Sequence, residues 1–339
     1  MHWFPLGGPV FGPSSALNNA YYEALQAMAT LSMDTAKKDK YQLQAHKLKT
    51  NMLRHFYDPS SGVYHLDKNL PANGICQDVK AHAMTLDLLP HHVDDLEHLI
   101  DSASDLPRAF RGLGHWDVAN VASPYAAGYA VEALLSRDRG AEAVKLIERV
   151  WGPMADTKSP NYSGGHWEAM KPDGTPHGHD TSLMHGWSTW PVSLMPRYLA
   201  GLQPIEPGWK SFSIAPVLAG LTEIKCTLAT VAGSVGVELE IDEENGHGTL
   251  RVLVPYGVRA RLQSPQGWVI QGPKYIEGTG VWQEFLLSEA SSEKDLDTKE
   301  IVHSAVVPPG SPSRIKERQG KNLPSKIRSL LSRFTAMRA

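Results

Sequence analysis

The stretch Asp180-Thr-Ser-Leu-Met-His185-Gly-Trp187-Ser-Thr-Trp190-Pro-Val-Ser-Leu-Met-Pro-Arg-Tyr198-Leu-Ala-Gly201 runs straight into Leu202-Gln-Pro-Ile-Glu-Pro-Gly-Trp209-Lys-Ser-Phe-Ser-Ile-Ala-Pro216. It marks a change of architecture. Thr181 to Leu202 reads as a helix, bent near Pro191 and Pro196 because proline removes a backbone donor and crowds the preceding turn. Near Pro204 the character shifts, and Ile205 to Trp209 reads as a linker.

Upstream of this stretch the chain reads as helices joined by irregular loops. Leu17, Tyr21, Ala24, Leu25, Met28 and Leu31 form a helical stripe over Leu17 to Leu31, with Ser14 or Ser15 as the capping residue. Further helices are expected over Tyr41 to Phe56, Gly74 to Leu89, His91 to Ala103, Pro124 to Leu135 and Ala141 to Val150. Longer Gly- and Pro-rich loops separate alternate helices: Val63 to Asn73, Asp105 to Ser123 and Gly152 to His179. This rhythm fits helical hairpins whose long loops gather at one end, where sites are commonly built.

Downstream, Val231, Val235, Val237, Leu239 and Ile241 alternate with small or polar residues, the period of a half-buried strand. Glu244-Asn245-Gly246 is a hairpin turn signal. Leu250, Val252 and Val254 alternate again, and Val281 to Leu287 reads as a closing strand. From about residue 290 the chain is polar, then Pro-rich and basic, and is expected to be largely disordered. Ile327 to Met337 has the pattern of a short basic amphipathic helix. The domains expected are 1–203 (helical), 204–289 (β) and 290–339 (tail).

Composition excludes several classes. The 339 residues carry a net charge of -3, which argues against nucleic acid or a membrane surface as the main partner. No apolar run approaches the ~20 residues that span a bilayer. Taken literally, the chain lacks a signal peptide and is expected in the cytoplasm. Cys76 and Cys226 form neither a disulfide framework nor a zinc motif. There is no phosphate-binding glycine loop and no nucleophile elbow. Nine tryptophans are consistent with core packing or with a sugar cleft.

Taken singly, the chemical candidates are ordinary. Glu168 follows Trp167 in a glycine-rich loop, and burial beside an aromatic ring would raise its pKa. His177-x-His179-Asp180 has the alternation of a metal pair but no third ligand at a telling distance, so no metal and no cofactor is expected. His185 has Trp187 and Trp190 close in sequence and reads equally as a core histidine.

Several segments together resemble glycoside hydrolase family 78, the α-L-rhamnosidases. The Asp180 to Pro216 stretch is the most specific. Glu168 in His166-Trp167-Glu168 matches the family's Trp-Glu motif. Ser123-Pro124-Tyr125, Tyr129-Ala-Val-Glu132-Ala-Leu, Gly74-Ile-Cys-Gln77-Asp78 and Leu17-Asn18-Asn19-Ala20-Tyr21-Tyr22 match less closely. His2-Trp3 departs from the Asp-Trp of many relatives. The resemblance implies an incomplete (α/α)6-toroid-like barrel of about seven helices followed by an antiparallel β-sandwich domain, with the start of the barrel missing from the chain. It implies an inverting hydrolase with Glu168 as general base. His185, Trp167, Trp187, Trp3 and Tyr125 would line a site for a carbohydrate or a glycosylated small molecule. The family's general acid, in Asp-x-x-x-Arg-x-Glu, has no counterpart here. Its loss costs roughly 10²–10⁴-fold; Asp117 and Asp78 are the candidate substitutes. The alternatives are a non-hydrolytic sugar-binding relative or an accessory enzyme of a biosynthetic pathway. An opened barrel would expose apolar helix faces, which a homodimer or another partner would cover.

Overall fold

The computed structural model describes residues 13–60, 62–66, 77–89, 122–171, 173–179 and 181–290. These residues fall into two compact units. One takes in the described part of Met1–Arg137 together with Lys145–Ser188; the other takes in Asp138–Val144 and the described residues from Thr189 onward. The expectations for Trp3, Cys76, Asp117, Asp180, the helix over His91 to Ala103 and the tail lie outside the described residues.

The first unit is helical. Helices α1 (Ser15–Leu31) and α2 (Thr35–Phe56) form a hairpin. Strands β1 (Tyr57–Asp58) and β2 (Val63–Tyr64) pair antiparallel around the expected Asp58 turn. Then come α3 (Gln77–Thr85), α4 (Pro124–Leu135) and α5 (Gly140–Ala155), the last beginning in the other unit. Helix α2 starts earlier than periodicity implies because Asp34 caps it, its Oδ1 accepting the N–H groups of Ala36 and Lys37. Helix α4 has the expected bounds: Ser123 Oγ accepts from Ala126, and Pro124 sits where a missing N–H costs nothing. Helix α3 ends before the expected Leu89, and Asp87 follows with φ of 53°.

The capping serine of α1 behaves differently from expectation. Ser14 holds the cap position without a side-chain bond, and Ser15 Oγ donates instead to Leu66 O at 3.0 Å. The buried face is also different. Helix α1 buries Ser15, Asn19, Tyr22, Leu25 and Ala29, so of the predicted apolar stripe only Leu25 faces the core. Polar side chains win that face because each is satisfied. Asn19 donates to Val79 O at 2.9 Å and accepts from Tyr64 at 2.9 Å, tying α1 to α3 and β2. Helices α3 and α4 pack against each other, and both bury small residues, Ala81 and Ala83 on α3 and Ala126, Ala127, Ala130 and Ala133 on α4.

The expected Thr181–Leu202 helix does not form as one element. It is a 3-10 turn at Gly186–Ser188, helix α6 at Trp190–Leu194 and a π-turn at Met195–Leu199. Pro191 and Pro196 divide it, since neither can donate to the preceding turn. The long segment of the second unit begins at Thr189.

The second unit is built on two sheets. Strands β3 (Leu202–Pro204), β4 (Ser211–Ile214), β8 (Arg259–Leu262) and β10 (Tyr275–Glu277) lie in the order β10-β8-β4-β3. Strands β5 (Glu223–Thr230), β6 (Gly233–Asp242), β7 (His247–Leu253), β9 (Trp268–Gln271) and β11 (Trp282–Glu289) lie in the order β5-β6-β7-β11-β9. Val235, Val237, Leu239 and Ile241 point into the core, and the Asn245-Gly246 turn joins β6 to β7 in register, Asp242 opposite His247. Three expectations are corrected. Ile205 to Trp209 is the turn of the β3–β4 hairpin, not a linker. Strand β11 does not close a sheet; it lies between β7 and β9. The sheets are not wholly antiparallel, because β4 runs parallel to β8.

Candidate active site

Glu168 sits on an extended segment pinned on both sides. Met170 exchanges backbone bonds with Ala122, at the entry to α4, at 2.7 and 3.0 Å. On the other side, Glu168 N–H donates to Ser182 O at 2.8 Å and His185 N–H donates to His166 O at 2.8 Å. The returning segment can approach this closely only because residue 165 is glycine: a Cβ there would stand 2.9 Å from Leu183 O. Ser163 Oγ donates to the same carbonyl at 2.8 Å.

This ladder aims the carboxylate. Oε2 of Glu168 accepts the Ser182 N–H at 3.2 Å and lies 3.8 Å from Nδ1 of His185. Both side chains are about 30% exposed, so the carboxylate is held by protein at one oxygen and still reachable by water. His185 packs against Trp187 at 4.3 Å between ring centroids, Trp187 against Tyr125 at 5.5 Å, and Tyr125 edge-on to Tyr129 at 5.4 Å with their hydroxyls 3.0 Å apart. Tyr129 in turn stacks on His82, whose Nε2 is 3.2 Å from Glu23. The result is a continuous aromatic wall leading from the carboxylate. The His82 hydrogen bond holds the Glu23 carboxyl below its usual range, and burial, reinforced by the Tyr125 hydroxyl, pushes the Tyr129 phenol up.

The structure brings together Glu168, His185, Trp187 and Tyr125 from the sequence-predicted set. Trp167 is corrected. It has no exposed surface, its backbone N–H donates to Met154 Sδ at 3.3 Å, and it is core. Sequence reasoning missed Ser182, which acts through its backbone and so leaves no side-chain signal. It also missed the His82–Glu23 pair, which joins positions far apart in the chain. Tyr129 was detectable: it lies one helical turn from Tyr125 on α4.

Elsewhere the described residues offer less. No group of three or more His, Cys, Asp or Glu among them is placed to hold a metal ion. None of their helices is long and apolar enough to cross a membrane. Burial pushes the Cys226 thiol up to about 11, which suppresses thiolate chemistry. A cavity of about 360 Å³ lies on the five-stranded sheet between Lys225, Glu238, Glu240, Thr249, Arg251 and Glu284. Its charges pair with each other, Lys225 with Glu240 and Arg251 with Glu238 and Glu284, leaving a surface ion-pair ladder.

Residues 201–272, most of the second unit's strands, match the family of the bacterial alpha-L-rhamnosidase C-terminal domain. The chain resembles the C-terminal part of a family 78 α-L-rhamnosidase. Solved rhamnosidases share the fold across both units. The α-L-rhamnosidase from Dictyoglumus thermophilum matches 80% of this chain at 17% identity and a TM-score of 0.56. The GH78 family rhamnosidase of Bacillus sp. GL1 matches 78% at 19% identity and 0.58. The Streptomyces avermitilis α-L-rhamnosidase, solved with L-rhamnose, matches 81% at 14% identity and 0.53. The rhamnosidase-like chain spans 31%, 27% and 26% of those proteins respectively. No curated protein sequence matches it.

Proposed function

We propose that the chain is an α-L-rhamnosidase-like glycoside hydrolase in which Glu168 is the general base. Its helices would form part of an (α/α)6 toroid and its sheets a β-sandwich. The observation carrying this reading is the geometry of Glu168: one carboxylate oxygen clamped by the Ser182 N–H beside His185, the group still open to water, next to a wall of flat aromatic rings. In an inverting reaction Glu168 takes a proton from a water molecule as the water oxygen bonds to the anomeric carbon. The glycosidic C–O bond breaks on the opposite face, and the leaving oxygen takes a proton from a second carboxyl ~6.5–9.5 Å away. Trp187 and Tyr125 offer faces on which a sugar ring stacks, and His185 offers a donor to a sugar hydroxyl.

The family's acid motif has no counterpart in the 339 residues, so the proposal covers water activation, and the second carboxyl is unassigned. The test uses an aryl α-L-rhamnoside, whose phenolate leaves with little help from an acid. Hydrolysis that falls about 10²–10⁴-fold in Glu168→Gln supports the base role. Equal rates for parent and variant overturn it. Binding of L-rhamnose without turnover, weakened by Trp187→Ala, would instead establish a sugar-binding relative.

A further inference from the structure

The segment that returns past Glu168 carries one residue more than the segment it pairs with. With the Glu168 N–H on Ser182 O, an unbroken antiparallel ladder would bring the Met184 N–H to His166 O. The donor there, at 2.8 Å, is His185 instead, so Leu183 and Met184 together stand opposite Trp167. Two residues against one is the count of a β-bulge, a device that re-aims a side chain. The extra residue matters because successive side chains of an extended chain point to opposite faces. Without it Met184 would take the rung that His185 holds, and the imidazole would fall on the other face.

An extra residue leaves backbone groups outside the ladder, and these need partners of their own. Ser163 provides one. Its Oγ donates to Leu183 O at 2.8 Å and accepts the Gly165 N–H at 3.3 Å. One hydroxyl thus ties the outgoing segment to the returning one at the step where the ladder is broken. The bulged residues also rest against the bare backbone of Gly165: a Cβ there would stand 3.2 Å from both Cα and Cβ of Met184. Neither backbone rung does the same work, since one holds Ser182, before the extra residue, and the other holds His185, after it.

We infer that Ser163 is a positioning residue of the site. By holding the Leu183 carbonyl it keeps the extra residue in the returning segment, and so keeps Nδ1 of His185 3.8 Å from Oε2 of Glu168. It acts through Leu183, not on the substrate. Its effect on turnover rests on the hydrolase reading, whereas its hold on the segment is measured without substrate.

The test joins amide hydrogen exchange to kinetics on the full chain with an aryl α-L-rhamnoside. Ser163→Ala is expected to speed exchange of the 182–185 amides about tenfold while the amides of α4 exchange as in the parent; a general loss of stability would move both. It is expected to lower kcat/KM about 10–100-fold, the cost of a group displaced by about 1 Å. Ser163→Thr keeps the hydroxyl and is expected to restore both. In a His185→Ala background Ser163→Ala should cost less than about twofold, because the side chain being aimed is gone. Unchanged exchange of the 182–185 amides in Ser163→Ala overturns the inference, as does an equal loss of kcat/KM in both backgrounds. A parent without Glu168-dependent turnover removes the hydrolase reading, and exchange alone then upholds or overturns the hold of Ser163 on the segment.

Discussion

Nδ1 of His185 lies 3.8 Å from Oε2 of Glu168; backbone bonds hold both residues in place, and the Ser182 N–H holds the carboxylate. His185 N–H and Glu168 N–H are successive rungs of the ladder joining residues 166–168 to 182–185. Site geometry is thus a property of two loop segments lying side by side, which explains where the site is sensitive.

Gly165→Ala is expected to damage activity more than stability. The added Cβ would meet Leu183 O at 2.9 Å and Met184 Cα at 3.2 Å, pushing the returning segment outward. Overpacking of this kind costs about 1–3 kcal/mol, and the Ser182 N–H would no longer reach Oε2. Paired measurements of kcat and Tm check this; an unchanged kcat would show that the clamp is dispensable.

Trp151 and Trp167 provide a matched comparison. Both have no exposed surface. Trp151 Nε1 donates to Ser188 O at 2.7 Å, whereas among the described residues Trp167 Nε1 has no partner. Replacing Trp151 with Phe leaves a buried carbonyl unpaired, while the same change at Trp167 relieves a buried unpaired donor. Trp151→Phe should therefore be the more destabilising by about 1–3 kcal/mol, read from urea denaturation. Trp167→Phe should leave KM for a rhamnoside unchanged, as befits core.

Stability should fall on mild acidification, with His166 contributing. Burial holds this imidazole below its ordinary value of 6.5, and its Nε2 has no partner among the described residues. Between the lowered folded pKa and the unfolded one, the unfolded chain binds a proton that the folded chain refuses. The stability is therefore full above the unfolded value and lost as pH falls below it. His166→Gln should flatten the decline in Tm between about pH 7 and pH 5; parallel curves would remove His166 from the account.

Glu23→Gln tests whether the far end of the aromatic wall matters. The His82 bond lowers the Glu23 pKa, so that contribution is present above the unfolded carboxyl value and lost as pH falls through the folded one. Glu23 is largely exposed, and little global stability is expected to depend on it. A change in KM with kcat preserved would connect the pair to substrate positioning through Tyr129.

Local chemistry is what the sequence by itself determined. The Pro124–Leu135 helix, the Asn245-Gly246 hairpin and the inward valines of β6 were legible because each rests on neighbours in the chain: a cap, a turn residue, a period of two. Tertiary structure decided the rest. The apolar stripe of α1 turned outward because on the other face Asn19 pairs with Tyr64 and the Val79 carbonyl, and Ser15 with the Leu66 carbonyl, a balance of hydrogen bonds invisible to periodicity. The stretch from Thr181 broke into three short elements where its prolines left the ladder without donors. Trp167 became core and Ser182 became the clamp on Glu168, because segments far apart in sequence were brought within a single backbone hydrogen bond.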